Sequence, residues 1–386
     1  MDMTVYLPRI LRVGGGARHE LGKVLADLGL CRPFLVIDAF LLGQGHGAAL
    51  ESSLAEQGLP LRQFSGVVPD PTTESIDAGL VELRGGDHDC VIALGGGSAI
   101  DTAKFMAVMA NRSGKLRDYK VPVTIDDGLP VIAIPSTAGT GSEATRAAVA
   151  TDSETEEKML CMGLGLMPVA ALVDYELSVT MPYRLTADAG IDSLCHALEA
   201  FVSRKANPFT DPIALACMSS IVKYLPVACE QPDNLEARAA MMHAATQGGI
   251  AFSNASVTLI HGMSRPIGAH FHVPHGLSNA MLLPEITAWS IDGARSRYAE
   301  AARAMGYAKL EDNDGAAADK LVAGLRALCS ALKVPGPAEF GIAQTQWQSL
   351  LPLMAEQALA SGSPANNPRI PDKGEIIALY ERVWAA

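Results

Sequence analysis

The sequence predicts an α/β N-terminal domain with a mostly parallel, doubly wound sheet, followed by an all-α C-terminal domain. Up to about residue 180, short apolar runs rich in β-branched residues alternate with helical segments. Beyond Pro182, long helical patterns follow one another with few such runs. A length of 386 residues also favours two domains, because a single hydrophobic core stops growing near ~250–300 residues. We therefore expect domains at residues 1–180 and 181–386.

Three apolar runs are the predicted strands of the first domain, at residues 34–37, 90–94 and 131–134. Each run is apolar throughout and is closed by Gly, Pro, Asp or Ser, which is typical of parallel strands buried on both faces. Helical spacing at 17–28 and 76–83 supplies segments between the strands. This alternation predicts the doubly wound sheet.

The second domain is predicted to consist of long helices, at residues 186–203, 212–225, 235–251 and 316–332. The segment SGSPANNPRIP at 361–371 is predicted to be a surface connection before a last helix. We find neither an internal repeat nor a low-complexity tract.

Composition argues for a cytoplasmic enzyme that acts on small molecules. A net charge of −12 argues against a nucleic-acid surface or a polybasic membrane patch. The seven scattered cysteines include no CxxC pair, so a disulfide framework or a thiolate zinc site is not expected, and the compartment should be reducing. The N-terminus lacks the pattern of a signal peptide, and no apolar run approaches the ~20 residues of a membrane span.

A glycine-rich turn follows the second predicted strand and opens a helix, in the order Gly95, Gly96, Gly97 and Ser98. Such a turn lets backbone N–H groups approach a phosphate, and the helix N-terminus adds partial positive charge. The spacing matches neither GxGxxG nor GxxxxGK[ST], so a plain tight turn is the alternative. Asp38 ends an earlier strand, where its carboxylate could bind an adenosine ribose or simply cap a helix.

The third predicted strand runs into a loop rich in hydroxyl groups and glycine, PSTAGTGSE at 135–143. This loop could line a nucleotide or nicotinamide pocket, or it could serve to cap a helix. The sequence favours neither interpretation.

Histidines and one aspartate predict a metal centre in the second domain. Asp192 and His196 are four residues apart, so they project from one helix face, where they could chelate a metal or hydrogen-bond to each other. His261 and His275 favour the metal, because they extend the pair to a four-ligand set. His270 and His272 lie in the same stretch and are alternative ligands or pocket residues.

Four motifs together resemble the iron-containing (group III) alcohol dehydrogenases, a family related in fold to dehydroquinate synthase and glycerol dehydrogenase. They are GGGSAIDTAK at 95–104, PSTAGTGSEAT at 135–145, GIDSLCHALEAF at 190–201 and HGMSRPIGAHFHVPHGLSNAMLLP at 261–284. The likeness extends in order over nearly the whole chain. It implies a nucleotide-binding domain, a helical domain, a cleft between them that holds NAD and one divalent metal, and a homodimer.

The resemblance also assigns site residues. It implies Fe²⁺ as the first choice of metal, although zinc, nickel and manganese also accept one carboxylate and three imidazoles. It favours NAD over NADP, because the Asp38 carboxylate would repel a 2′-phosphate. The implied metal ligands are Asp192, His196, His261 and His275; the implied cofactor contacts are Asp38 at the ribose, Gly95, Gly96, Gly97 and Ser98 at the diphosphate, Ser136, Thr137 and Thr140 along the cofactor, and Lys158 near the nicotinamide ribose.

One departure from the family pattern concerns the substrate. The family usually has His-Gly-Met-Ala-His, with the second histidine near the substrate, and this chain has Arg265 in that place. Arginine does not release a proton near neutral pH, but its planar fork binds carboxylate, phosphonate or sulfonate oxygens two at a time. We hypothesise that Arg265 recognises the acidic tail of a substrate such as an ω-hydroxy acid. The alternative is a structural arginine paired with an acidic neighbour.

The predicted reaction is hydride transfer between NAD(H) and a primary alcohol or its aldehyde, with alcohol oxygen bound by the metal. Without the usual histidine, protons would leave through a ribose hydroxyl, ordered water or His270. The alternative function is a metal- and NAD-dependent lyase of the dehydroquinate synthase type. That reaction calls for a cluster of Lys and Arg around a substrate phosphate, and the helical half offers only Arg184 and Arg265 near the ligand segments.

Overall fold

The computed structural model describes residues 3–385. Residues 1, 2 and 386, which the predicted domain limits include, lie outside the described part of the chain. The chain divides into two compact units, Met1–Thr180 and Met181–Ala386.

The first unit is built on a six-stranded sheet in which every pairing is parallel, in the order β1-β8-β5-β4-β2-β3. Strands β6 and β7 form a separate antiparallel ribbon. The strands are β1 (Ile10–Val13), β2 (Pro33–Ile37), β3 (Arg62–Phe64), β4 (Cys90–Gly95), β5 (Val131–Pro135), β6 (Ala147–Thr151), β7 (Lys158–Met162) and β8 (Ala170–Val173).

The three predicted strands are confirmed as β2, β4 and β5, which are adjacent in the middle of the sheet. Their side chains alternate between two cores: Val91 and Ala93 lie in one, and Ile92 and Leu94 lie in the other. Both faces of the sheet are therefore covered, which explains why the sequence of these strands is apolar without interruption.

Within residues 3–180 there are five α-helices: α1 (Leu21–Leu28), α2 (Ala39–Gly43), α3 (His46–Ala55), α4 (Thr73–Arg84) and α5 (Gly97–Met109). Helix α4 begins with a capping box between Thr72 and Ser75. Helix α5 is buried at ten of its 13 positions, as expected for a helix that is mostly apolar.

The second unit is helical, and residues 181–385 contain no strand. Helix α6 is buried along most of its length and packs against α7, α8 and α10. The helices are α6 (Tyr183–Val202), α7 (Thr210–Glu230), α8 (Leu235–Asn254), α9 (Leu259–Phe271), α10 (His275–Ser290), α11 (Arg295–Ala304), α12 (Asp314–Ala331), α13 (Pro337–Phe340), α14 (Gln344–Ala360) and α15 (Lys373–Ala385).

Helix α7 is, within residues 3–385, the one helix whose length and composition would allow it to cross a membrane. No apolar run of that length was predicted. Length and composition alone do not indicate a membrane span, because core helices of soluble proteins meet the same criteria. The buried side chains Cys217, Met218 and Ile221 of α7 belong to a helix that packs against α6 and α8.

The segment 361–371 connects α14 to the last helix, as predicted, but it lies only partly on the surface. Asn367 is only 2% exposed, and its Nδ2 donates to Ser290 Oγ at 3.1 Å. Pro364 packs so closely on Gly262 that a Cβ atom there would lie 2.7 Å from the proline ring. The Ser, Pro and Asn content of this segment indicates a connection between helices but not its burial, because tertiary hydrogen bonds can satisfy a buried amide.

Candidate metal centre and cofactor loop

Helix α6 presents Asp192 and His196 one turn apart, both buried, at 2% and 5% exposure. His261 lies in the first turn of α9, and His275 is the first residue of α10. The two helix starts bring these imidazoles to the aspartate. The structure thus gathers Asp192, His261 and His275, and it places the fourth predicted ligand, His196, beside Asp192.

The distances among these four side chains suit a metal ion. Asp192 Oδ1 lies 3.4 Å from His261 Nε2, 3.7 Å from His275 Nε2 and 3.9 Å from His196 Nε2. Ligands about 2.1 Å from a tetrahedral ion would be roughly 3.4 Å apart. Asp192, His261 and His275 form a group whose donor atoms all lie within 4.8 Å of one another. Oxygen and imidazole nitrogen are donors that divalent iron and zinc both accept.

Asn279 gives independent evidence that these donors converge on one electropositive point. Its Nδ2 donates to Asp192 Oδ1 at 2.6 Å and lies 3.2 Å from His261 Nε2 and 3.3 Å from His275 Nε2. Its Oδ1 is buried and has no hydrogen-bond partner among the described residues. The carboxylate oxygen and the two ring nitrogens thus surround a single N–H₂ group, at a point that a cation could also occupy. The residues present therefore fit a divalent ion.

The ligand group also perturbs its own proton affinities. Burial would raise the pKa of Asp192, but His196, His275 and His261 together lower it well below the usual range. Burial would lower the pKa of His261, but Glu199 and Asp192 raise it to about 9. Without a metal, the two carboxylates beside the His261 imidazole thus favour its protonated, positively charged form.

Glu199 was not among the predicted site residues, and its buried carboxylate lies next to the His261 ring. Its Oε2 contacts His261 Nδ1, and its Oε1 accepts from Thr258 Oγ1 and Ile260 N, each at 2.8 Å. A signal was available, because residues 192 and 199 are seven apart and share a helix face.

Arg265 follows His261 by one helical turn, so both project from the same side of α9. Its side chain is partly buried and makes no hydrogen bond or ion pair with any residue that the structure describes. Burial lowers its pKa, and the Glu199 carboxylate opposes that shift. Among residues 3–385, no acidic residue therefore forms with Arg265 the ion pair that is expected of a structural arginine.

The two other candidate histidines are placed elsewhere. His270 Nε2 lies 2.7 Å from Gln357 Oε1, and nine residues, or about 13 Å of helix, separate it from His261. His272 is the residue directly after α9. Its backbone is in the left-handed region, with φ of 54°, and the residue is exposed. The structure brings neither to Asp192, and the role of His270 in proton relay stays a prediction.

In the first unit, the glycine turn lies at the carboxyl end of β4, next to Asp38 at the end of β2. Gly95 has φ of 155°, and a Cβ atom there would lie 2.8 Å from Asp38 Oδ2. A Cβ atom at Gly97 would lie 2.7 Å from Thr140 Cγ2, and at Gly96 it would lie 3.2 Å from Thr137 Cγ2. The close approach therefore leaves little room for a side chain at Gly95 and Gly97.

Asp38 serves as the helix cap that one interpretation predicted, because its Oδ1 accepts from Leu41 N at 2.8 Å. Its Oδ2 is the oxygen beside Gly95. Ser98 lies in the first turn of α5, and the cap residue Gly96 provides no side-chain hydrogen bond. Ser136 N donates to Gly95 O at 2.9 Å, which joins the 135–143 loop to the glycine turn.

Lys158 is the first residue of β7, and its Nζ lies 2.9 Å from Asp70 Oδ1. Asp70 has a φ of 49°, in the left-handed region that Asn and Asp tolerate. The structure thus places the predicted ribose lysine in an ion pair.

A buried lysine that the sequence analysis did not assign lies beneath the cofactor loop. Lys104 on α5 is fully buried, and its Nζ donates to Ser142 Oγ, to both oxygens of Thr145 and to Ala147 O, at 2.8–3.1 Å. Asp101, one turn earlier, accepts from Ser142 Oγ at 2.6 Å. An Asp/Lys pair in an otherwise apolar helix was the available signal.

Comparison with known proteins assigns the family. One family model, described as iron-containing alcohol dehydrogenase, matches residues 8–175, and a second, described as Fe-containing alcohol dehydrogenase family, C-terminal, matches residues 186–384. The NAD-dependent methanol dehydrogenase of Bacillus methanolicus is 33% identical over 378 residues, covering 97% of this chain and 98% of that protein.

Solved structures agree with the family models. A crystal structure of 1,3-propanediol oxidoreductase has a TM-score of 0.95 at 30% identity, covering 99% of this chain and 100% of that one. The sulfoacetaldehyde reductase of Bifidobacterium kashiwanohense, in complex with NAD⁺, has a TM-score of 0.90 at 27% identity and full coverage of both chains. This chain therefore belongs to the iron-containing alcohol dehydrogenase family and is an alcohol dehydrogenase that uses a nicotinamide cofactor.

Proposed function

We propose that this enzyme transfers a hydride between NAD(H) and a primary alcohol/aldehyde pair whose far end carries an anionic group, as in an ω-hydroxy acid. The observation that supports the acidic tail is the partly buried, unpaired guanidinium of Arg265, one helical turn from His261. The lyase alternative is not favoured, because the matched models and relatives are alcohol dehydrogenases.

The metal centre would be held by Asp192, His196, His261 and His275, with Fe²⁺ as the first choice and Zn²⁺ or Ni²⁺ as alternatives. When bound, a divalent ion lowers the pKa of an alcohol hydroxyl and polarises an aldehyde carbonyl. The chain's own contribution is to fix the four donors on helix starts and on a buried helix, and to exclude water from Asp192, His196 and His261.

The cofactor would lie along the glycine turn. Backbone N–H groups of Gly95, Gly96, Gly97 and Ser98 would bind the diphosphate at the start of α5. Ser136, Thr137, Thr140 and Lys158 would line the remainder of the cofactor. Asp38 Oδ2 would accept hydrogen bonds from the adenosine ribose and repel a 2′-phosphate, which favours NAD.

Arg265 would bind the acidic end of the substrate. A guanidinium without a protein partner keeps its five donors for a ligand, and its fork matches the oxygens of a carboxylate or sulfonate. The sulfoacetaldehyde reductase, similar along its full length, bears the name of a substrate with an anionic tail. Arg265 lies one turn from His261, so its positive charge is on the side of α9 that carries this proposed ligand.

Replacement of Arg265 tests this proposal. In Arg265→Ala, kcat/KM for an ω-hydroxy acid such as 4-hydroxybutanoate should fall about 10- to 100-fold, because a hydrogen bond to a charged group contributes roughly 1.5–3 kcal/mol. For 1-butanol, which has the same carbon chain without the carboxylate, kcat/KM should change little. NADH formation measures both. Equal losses on the two substrates would contradict a role in recognising the acidic tail.

Location and assembly are also proposals. All seven cysteines are free, which suits a reducing, cytoplasmic compartment. The edge strand β1 exposes Leu11 and Val13 at 40% and 47%, which favours its being covered in a homodimer. Light scattering of the purified enzyme would give the oligomeric state directly.

A further inference from the structure

We infer that Glu199 is a positioning residue of the metal centre. Its buried carboxylate holds His261 in the tautomer whose Nε2 lone pair faces Asp192, and it also caps the helix that carries His261. This inference rests on the proposed metal site, and it concerns a residue outside the four ligands.

Burial makes the Glu199 carboxylate costly unless donors surround it. The residue is 1% exposed, and neither a lysine nor an arginine forms an ion pair with it among the described residues. Its Oε1 accepts from Thr258 Oγ1 and Ile260 N at 2.8 Å and from His261 N at 3.3 Å. Its Oε2 contacts His261 Nδ1. The negative charge is thus balanced by a helix N-terminus and one imidazole.

The contact with the ring determines where the His261 proton lies. An ionised carboxylate can only accept, so the Nδ1 atom facing it must carry a proton. In the neutral imidazole the lone pair is then on Nε2, the atom 3.4 Å from Asp192 Oδ1. A metal binds imidazole through such a lone pair, and a carboxylate on the opposite nitrogen fixes the ring and makes it a stronger ligand.

The same carboxylate fixes the start of α9. The first amides of a helix have no acceptor within the helix, and the cap residue Thr258 provides no side-chain hydrogen bond to them. Glu199 accepts from two of these amides, although it belongs to α6. Helix α6 therefore carries two ligands and the group that orients a third. Loss of the carboxylate should affect both the position and the tautomer of His261.

Glu199→Gln is the sharpest test, because it keeps the shape and replaces one oxygen by an N–H₂ group. If the amide oxygen still accepts from Ile260 N, the N–H₂ faces Nδ1 and moves the ring proton to Nε2, where a metal must bind. We expect the affinity for Zn²⁺ to fall about 10- to 100-fold. Competition with a chromophoric chelator measures this, and the visible spectrum of the Co²⁺-loaded protein should change as well.

Two controls separate positioning from general stability. Thr258→Val removes one hydrogen bond to Oε1 but leaves the charge and the contact with Nδ1, so its Zn²⁺ affinity should remain close to that of the wild type. Asp192→Ala removes a proposed ligand and should lose tight binding. Thermal unfolding of each metal-free variant shows whether the fold is retained.

The outcomes are distinguishable. Wild-type Zn²⁺ affinity in Glu199→Gln would overturn the positioning role while leaving the metal site intact. Wild-type affinity in Asp192→Ala would instead overturn the metal site. Should Glu199→Gln not fold, ¹⁵N-histidine spectra of the Zn²⁺-loaded wild type still decide: a protonated Nδ1 with a far-downfield proton supports the inference, and a protonated Nε2 on His261 overturns it.

Discussion

His261 links the charges of the metal centre at the scale of single residues. It lies between two buried carboxylates, Asp192 on one ring nitrogen and Glu199 on the other. The pair raises the pKa of the imidazole to about 9, although burial alone would lower it. A raised pKa means that the metal-free ring still holds both protons at neutral pH, so metal binding must displace one.

This displacement predicts a pH dependence of metal binding. Below about pH 9, the apparent affinity for Zn²⁺ should rise with pH, by up to about tenfold per unit between pH 6 and 8, because a proton competes for Nε2. Chelator competition across that range measures the affinity, and calorimetry in buffers of different ionisation enthalpy counts the protons released. An affinity independent of pH would contradict the protonated state of His261.

Helix α5 is the element that joins the cofactor turn to the rest of its unit. Its first residue, Gly97, packs against Thr140, and Lys104 further along donates to the backbone and hydroxyl groups of the 142–147 segment. Burial lowers the pKa of Lys104 to about 8, against the opposing charges of Asp101 and Glu143. Because acceptors surround the ammonium, we expect it to hold the loop that would line the cofactor.

Lys104→Met tests this function of α5. The substitution leaves buried acceptors without their donor, which should cost about 3 kcal/mol or more in the free energy of unfolding and raise KM for NAD⁺. Zn²⁺ affinity should not change, because the proposed ligands lie in the other unit. Lys23→Met, at a lysine 62% exposed, is the matched control. Unchanged stability and unchanged KM in Lys104→Met would contradict the proposed role.

The whole molecule places its two ligand sites in separate compact units. All four proposed metal donors belong to residues 181–385, and the glycine turn belongs to residues 3–180. A ligand stabilises the structure to which it binds, by about 4 kcal/mol at a concentration 1,000 times its Kd.

Metal removal should therefore destabilise the helical unit and leave the first unit almost unchanged. Chelation should increase backbone hydrogen exchange in α6 and α9, with a much smaller effect on β2 and β4. Addition of NAD⁺ should protect the turn after β4 instead. Mass spectrometry of exchanged peptides measures both effects. Equal changes in the two units on chelation would contradict the assignment of the metal to the helical unit.

The sequence determined the fold class, the central strands and the residues that meet at Asp192. Apolar runs and helical periodicity arise from burial against a sheet or helix, so β2, β4, β5 and the long helices leave local patterns. Ligand residues were visible because their types and spacings are chemically specific. The short edge strands β1 and β3 were not predicted, because they have only four and three residues and contain charged or polar side chains.

Only the tertiary structure decided which groups hold the proposed metal ligands and the proposed cofactor loop in place. Glu199, Asn279 and Lys104 lie within the sequence motifs, yet each contacts residues far away in the chain, between 18 and 87 positions distant. The segment 361–371 is packed for the same reason, since its partners come from α9 and α10. Local sequence records which face of an element is buried, but it does not record which buried donor meets which acceptor.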